Sequence, residues 1–600
     1  MDYLVLLTSR SKNSDPDRKG EKEMKKFICL VLALLCVLPL VACGAVSDIA
    51  EQAPMALMST EDLQKLAANG KVFAGTTAEE SAAIWENATT IVAAWYAEYI
   101  AMAKEDLSGY KTLYTKKDNS EYPKSYYANT QLPNFSHSAA NLRPTRTVDS
   151  LKGWAESAYY DKEYELDVYG GWINESLKQE ATGNFYVKKL GNRWYYIDPL
   201  GYPCITVGVV GPLYTYANNE QQRASAEKLY GSEEKWKIAT VCDLKYEYGF
   251  NLAMPHGSDS FLEVPEGMIY QKSTSPVTEY GKSLGMVTQE GSTYFDGKAM
   301  PVFDPMFPEF VDSYVKELVT PLLNDERIVG FTSDNEIPMD QTMLDNYLIL
   351  NPDANPVHRY SYAAAWTWLA FMTGKDNPTT SDVNDDLRQL YRGFVYYRYF
   401  SVIAPAFRKY APNFMYGGVR FLTPAKAFTV LDAEWVVRFA GKYCDYICLN
   451  WYKNWTMEPE IAANMTKWSG DKPFVITEFY AKSDVFVSEG DPYDVTSNGG
   501  GAGFHVDGYG KQGTTNIQVG VHQVRADYYE NSILSFLEWG SIIGWHWYRY
   551  NHYWISGELN RAGGIVSDNH VMYPEFQAAF DKINNHVYGL AEFFNDRNSK

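Results

Sequence analysis

The stretch Arg327–Asp340, RIVGFTSDNEIPMD, decides how the rest of the chain is read. Ile328, Val329 and Phe331 make a short apolar run with the β-branched and aromatic side chains that suit a buried strand. The run then stops on Asp334, Asn335 and Glu336. Nothing in the packing of a buried strand calls for two carboxylates and an amide at its end. The polar ending therefore points to a fold in which strand ends meet something polar.

Outward from this stretch, similar short apolar runs recur and alternate with amphipathic segments. They are CITVGVV from Cys204, FNLAMP from Phe250, AMPVFD from Ala299, MYGGVRF from Met415, YICLNWY from Tyr446, FVITEFY from Phe474 and IIGWHWY from Ile542. Between them lie segments such as Phe310–Leu323, where Val311, Val315, Leu318 and Leu322 share one helical face. Eight buried strands separated by helices predict an α/β protein built as a (β/α)8 TIM barrel with long loop insertions. A doubly wound sheet is the alternative, but VGVVGPLY after the first strand lacks the G-x-G-x-x-G phosphate loop.

The barrel is expected over residues 166–600, preceded by a β-hairpin in NFYVKKLGNRWYYIDPLGYP, whose two β-rich runs flank a Leu-Gly-Asn turn. Residues 76–165 read as an N-terminal helical accessory region, because Ile84, Ile91, Val92, Trp95, Tyr99 and Ile100 recur at helical spacing. Residues 44–75 read as a tether. Met24–Gly44, MKKFICLVLALLCVLPLVACG, has two lysines, a short apolar run broken by Pro39, and small residues before a cysteine. That is a secretory signal over residues 24–43 rather than a spanning helix. Its LVAC ending resembles a bacterial lipobox and implies lipidation of Cys43. Residues 1–23 then read as a misassigned upstream start, with Met24 the initiator. The expected location is the bacterial cell surface or outside the cell, with the membrane met only through a lipid anchor.

Composition narrows the partner. The 600 residues carry a formal net charge of −20, which argues against nucleic acid and disfavours sulfated or uronate-rich ligands. With 47 Tyr, 28 Phe and 16 Trp, the chain is rich in side chains that offer an apolar face and a polar edge. A neutral carbohydrate fits both observations. Cys204, Cys242, Cys444 and Cys448 read as buried small hydrophobes, since a chain of this length needs no disulfide staples. His256, His546 and His552 come from separate segments without an i, i+4 pair, so neither a metal nor a cofactor is expected.

In a barrel the chemistry collects at the C-terminal ends of the strands. Strand four delivers Asn335 and Glu336, strand five Arg420, strand six Asn450, Trp451 and Tyr452, strand seven Thr477 and Glu478, and strand eight Trp545, His546 and Trp547. Glycosidic cleavage needs one carboxylic acid to protonate the leaving oxygen and one carboxylate to meet the oxocarbenium ion. Glu336 and Glu478 are far apart in sequence, yet strands four and seven face one another across a barrel mouth. Carboxyls about 5 to 5.5 Å apart retain anomeric configuration, and a larger gap inverts it. Asp334 reads as a cap for the segment after strand four, and Glu538 as lying at the wrong end of the barrel. Thr496–Gly510, TSNGGGAGFHVDGYG, reads as a glycine-rich flap over the substrate.

An Asn-Glu pair ending strand four and a Glu ending strand seven resemble the retaining glycoside hydrolases of clan A. More narrowly, ATGNFYVKKLGNRWYYIDPLGYPCITVGV, VFDPMFPEFV, NDERIVGFTSDNEI, GAGFHVDGY and GWHWYRYN resemble, in order, segments of glycoside hydrolase family 50, the β-agarases. The resemblance covers residues 140–590. It implies that Glu336 is the acid/base, Glu478 the nucleophile, Asn335 a holder of a sugar hydroxyl, and Tyr452 a hydrogen-bond partner of the nucleophile. It also implies that Trp547, with Trp545, stacks under a sugar ring. Asn450, Arg420 and His256 complete the expected substrate-binding set. The segment MPHGSDS, with His256 and Asp259, and the segment HQVRADYY depart from the family pattern in loops that shape the substrate site. Two alternatives stay open: a β-glucan or β-mannan as substrate, and a cell-surface glycan-binding lipoprotein without catalysis.

Overall fold

The structure is a computed structural model. It describes residues 58–599 apart from 69, 116–118, 130–136, 216–218, 255–263, 265–266, 287–294, 424–429, 484, 487–494, 497–503, 513–514, 519, 556–557 and 562. His256, Asp259, Cys43 and the whole 24–43 segment lie outside the described residues. Two compact units are present. Of the described residues, one comprises those up to Glu105 together with Phe303–Pro305 and Leu344–Leu387; the other comprises those in Asp106–Val302, Met306–Met343 and from Arg388 onward. The residues grouped as 76–165 in the sequence thus divide between the units.

The smaller unit is helical. Its long helix α1, Ala78–Ala103, begins at a capping box in which the Thr77 hydroxyl accepts the Glu80 N–H while the Glu80 carboxylate accepts the Thr77 N–H. One face of α1 buries Ile84, Ala88, Val92 and Trp95. That face meets helix Arg359–Thr373, with Trp95 against Trp368 at 5.8 Å and Tyr96 edge-on to Phe371 at 4.9 Å. Within the 44–75 segment, Thr60–Ala68 is a helix whose Leu63 is buried, so the part described is packed rather than a free tether. No described helix is long and apolar enough to cross a membrane.

The larger unit is α/β. Its central strands are β1 Thr206–Val210, β2 Leu252–Met254, β3 Tyr270–Thr274, β4 Ile328–Ser333, β5 Arg420–Leu422, β6 Ile447–Asn450, β7 Phe474–Phe479 and β8 Ile542–Trp547. Each is parallel to the next in chain order. Gly208 pairs with Leu252, Leu252 bridges Ile269 just before β3, and Tyr270 pairs with Ile328. Phe331 bridges Tyr416 and Asn335 bridges Arg420; Arg420 then pairs with Cys448, Ile447 with Phe474, and Phe474 with Ile542. Finally Gly544 of β8 pairs with Thr206 of β1, so the last strand returns to the first. Parallel strands buried on both faces need long crossovers, and the helices supply them, including Phe307–Val319 between β3 and β4 and Val521–Trp539 between β7 and β8.

One strand differs from the sequence reading. Ala299–Phe303 is buried but forms turns, and the third strand is Tyr270–Thr274. Pro301 has no N–H to give a ladder. Tyr270–Thr274, YQKST, hides as a strand because its inward residue is polar. Gln271 is buried and its Nε2 donates to the Tyr446 hydroxyl at 2.8 Å, so a glutamine takes the place of an apolar core residue.

Smaller sheets accompany the parallel strands. Tyr186–Leu190 and Arg193–Ile197 form the hairpin, with Pro203–Cys204 added beside it. Lys124–Asn129 pairs with Leu142–Thr145 and with Phe504–Gln512. Phe504–Gln512 also pairs with Ala481–Ser483, which continues from β7. Much of the glycine-rich stretch expected to be a flap is therefore a sheet strand, anchored by buried Phe504 against Trp455 at 5.2 Å. Cys204, Cys444 and Cys448 are buried thiols, whereas Cys242 is exposed, contrary to the expectation that all four lie inside.

Candidate active site

The polar ends of β4, β5, β6 and β7 converge. The site is built by backbone irregularity as much as by side chains. Asp334 and Glu336 both sit at positive φ, 55° and 50°, a conformation that disfavours L side chains and is kept where surrounding structure enforces it. The enforcement is visible: Arg420 N donates to Asp334 O at 3.2 Å, and Glu336 N donates to Arg420 O at 3.0 Å. At β6 the register shifts after Leu449, which brings Asn450 opposite Glu478.

Glu478 is almost completely buried and is held by two donors. Arg420 Nη2 meets its Oε1 at 2.5 Å, and the Tyr452 hydroxyl donates to its Oε2. Burial, and then the charges of Glu478 and Glu336, hold the Tyr452 hydroxyl well above its ordinary range, so it remains a donor. Glu336 is half-buried, and Asn450 Nδ2 donates to its Oε1 at 2.8 Å and to Asn335 Oδ1 at 3.0 Å. Asn450 and Tyr452, two residues apart, thus reach the two carboxylates from one strand exit. The orientation of the Asn450 amide is set by Thr477, whose Oγ1 donates to Asn450 Oδ1 at 2.7 Å. Thr477 was visible at a strand end but carried no assigned role, because an orienting contact across strands leaves no local signal.

Asp334 is not part of this pair. It is buried and accepts Val277 N at 3.2 Å, Thr278 N at 3.0 Å and the Tyr399 hydroxyl at 2.8 Å. It therefore caps helix Pro276–Ser283, which lies after β3, rather than the segment after β4. Burial pushes its carboxyl up to about 6, against the opposing effect of these donors. Glu538 is likewise structural: its Oε2 accepts Arg146 Nη1 at 2.8 Å, with both side chains inside the protein.

Trp545 and Trp547 do not look into the strand ends. Both are fully buried. Trp545 Nε1 donates to the Tyr529 hydroxyl of helix Val521–Trp539 at 3.2 Å, and Trp547 stands edge-on to Phe576 of helix Pro574–Ile583 at 5.2 Å. They fill the layer between strands and helices, which corrects their assignment as sugar platforms. Alternation along β8 turns His546 the other way. It lies against Gly208, where a Cβ would come within 2.5 Å of His546 Cδ2. Burial and then the Arg420 charge push the His546 imidazole down to about 3, keeping it neutral. Among the described residues no group of three or more His, Cys, Asp and Glu side chains is arranged to hold a metal ion.

Known proteins to which the chain is similar include agarases. The chain is 22% identical over 540 residues to β-agarase B of Vibrio sp. (strain JT0107), a match that takes in 70% of this chain and 50% of that protein. It thus spans about half the length of the curated relative it matches. Among solved structures it is similar to BpGH50, with a TM-score of 0.61 and 23% identity over 78% of this chain and 95% of that one. It is also similar to the agarase AgWH50C, with a TM-score of 0.53 and 18% identity over 76% of this chain and 71% of that one. The chain shares their fold. No family model matches it.

Proposed function

We propose that the chain is a retaining glycoside hydrolase of clan A, built on a (β/α)8 barrel and cleaving β-linked, galactose-containing polysaccharide or oligosaccharide of the agarose type. The single observation that carries this reading is that Asn450 and Tyr452, from one strand exit, contact Glu336 and Glu478 respectively. The return of β8 to β1 supports the barrel. The likeness to β-agarase B and to AgWH50C supports the substrate class.

The roles follow from the surroundings. Glu478 sits beside a guanidinium and a hydroxyl donor, the setting of an ionised carboxylate ready to attack the anomeric carbon. Glu336 protonates the departing glycosidic oxygen as the covalent glycosyl-enzyme forms. Water then attacks the same carbon, giving its proton to Glu336 and releasing Glu478. Asn335 and Asn450 lie beside Glu336, within reach of a hydroxyl on the sugar being cleaved. Cys43 tethers the protein to a membrane through lipid, a reading that rests on the LVAC sequence.

Glu478→Ala is expected to abolish release of reducing ends from agarose. Azide with an activated β-galactoside should then restore turnover and yield the α-azide, because azide takes the nucleophile's face. Full activity of Glu478→Ala would sink the assignment.

A further inference from the structure

The exit of β7 addresses both carboxylates of the site with two successive residues. Glu478 is one of the carboxylates itself, and Thr477, just before it, reaches the other through Asn450 of β6. The Thr477 hydroxyl donates to Asn450 Oδ1 at 2.7 Å, while Asn450 Nδ2 donates to Glu336 Oε1 at 2.8 Å and to Asn335 Oδ1 at 3.0 Å. An amide nitrogen carries two hydrogens, so both are spent on these two oxygens. Thr477 and Asn450 are fully buried. The Asn450 backbone is fixed as well, since its carbonyl accepts Thr423 N at 3.1 Å and the Thr423 hydroxyl at 2.7 Å.

A side-chain amide can turn over, exchanging its oxygen and nitrogen with almost no change of shape, and here the two orientations differ chemically. As it stands, Glu336 Oε1 accepts an N–H. That makes Oε1 the carbonyl oxygen of the protonated acid and places the proton on Oε2. Turned over, Asn450 Oδ1 would face Glu336 Oε1 and Asn335 Oδ1. The acid would then put its proton on Oε1, donate it to Asn450, and withhold it from the leaving oxygen.

Thr477 decides between the two orientations. In the turned-over one its hydroxyl would accept from Asn450 Nδ2, and its own hydrogen would lose Asn450 Oδ1, the acceptor it has among the described residues. A buried donor stripped of its acceptor disfavours that orientation by about 10- to 100-fold. We propose that Thr477 is a positioning residue for the acid: by fixing the Asn450 amide it keeps the proton of Glu336 on Oε2, from which it passes to the departing glycosidic oxygen. This rests on the glycosidase reading and adds to it a residue whose side chain acts through another.

The test compares two leaving groups, using the full chain. A dinitrophenyl group departs without a proton, whereas the sugar released from an agarose-derived tetrasaccharide needs one. In Thr477→Val, which removes the hydroxyl, kcat/KM for the tetrasaccharide should fall about 10- to 100-fold, and kcat/KM for dinitrophenyl β-galactoside by no more than about 2-fold. Thr477→Ser keeps the donor and should recover most of the loss. If circular dichroism shows Thr477→Val unfolded, Thr477→Ala carries the same expectation. An equal loss on both substrates, no loss on either, or a loss in Thr477→Ser as large as in Thr477→Val overturns the proposal. Absence of reducing ends from any neutral β-glycan with the wild-type protein is a separate result: it overturns the glycosidase reading, and this inference with it.

Discussion

At the scale of single residues, the site depends on which donors reach which carboxylate. Tyr452 contributes one hydroxyl, but that hydroxyl lands on a buried, charged oxygen. Tyr452→Phe leaves a lone pair of Glu478 without its donor, a loss of about 1–3 kcal/mol when the group is buried. The expected result is a fall of about 10- to 100-fold in kcat on an activated β-galactoside, with the fold intact by circular dichroism. An unchanged kcat would remove Tyr452 from the mechanism. Asp334 and Glu336 show how little sequence proximity means here. Two residues apart and both at positive φ, one caps a helix and the other faces Asn450. The strand end and the distinction of Glu336 from Asp334 were legible in the sequence; the partners of each carboxylate, which come from other strands, were not.

At the scale of elements, the turns before and after the hairpin bring together a pair of carboxyls, Asp167 and Asp198, outside the proposed site. Asp167 Oδ1 accepts Tyr169 N and Gly171 N, while Asp198 Oδ1 accepts Leu200 N and Tyr202 N. The Asp167 carboxyl lies beside that of Asp198 and disfavours its charge. Gly171 permits this approach, since a Cβ there would lie 1.8 Å from Asp198 Oδ2. Burial, and then Asp167, push the Asp198 carboxyl up from 3.8 to about 8. A folded-state value above the unfolded one means that the linked stability is fully present below pH 3.8 and is lost as pH rises through about 8. Asp198→Asn has no such proton to lose. Its melting temperature is therefore expected to fall less than that of the wild type between about pH 4 and pH 9 in a thermal denaturation series. Parallel curves for the two proteins would show that the pair does not titrate in this window. The third strand belongs to the same scale: the Gln271 amide nitrogen donates to the Tyr446 hydroxyl, so a polar residue occupies a position that periodicity reserves for an apolar one.

At the scale of the whole molecule, the lipobox-like sequence makes a claim about where the protein stays. If Cys43 carries lipid, Cys43→Ser expressed in a bacterium with lipoprotein processing should shift the protein from the membrane fraction to the soluble one, and labelled palmitate should mark only the wild type. Equal partitioning of both forms would count against the anchor. By itself the sequence determined the class of fold, the rhythm of short apolar runs and helices, and the polar strand ends, because these are local properties of spacing and side-chain type. The inward face of β8 was decided only by the tertiary structure: Trp545 and Trp547 fill the helix layer and His546 turns to Gly208 and Arg420. A period of two says that neighbours part company, but it does not say which of them points inward. That choice, like the donation from Asn450 to Glu336, is made by residues that only folding brings near.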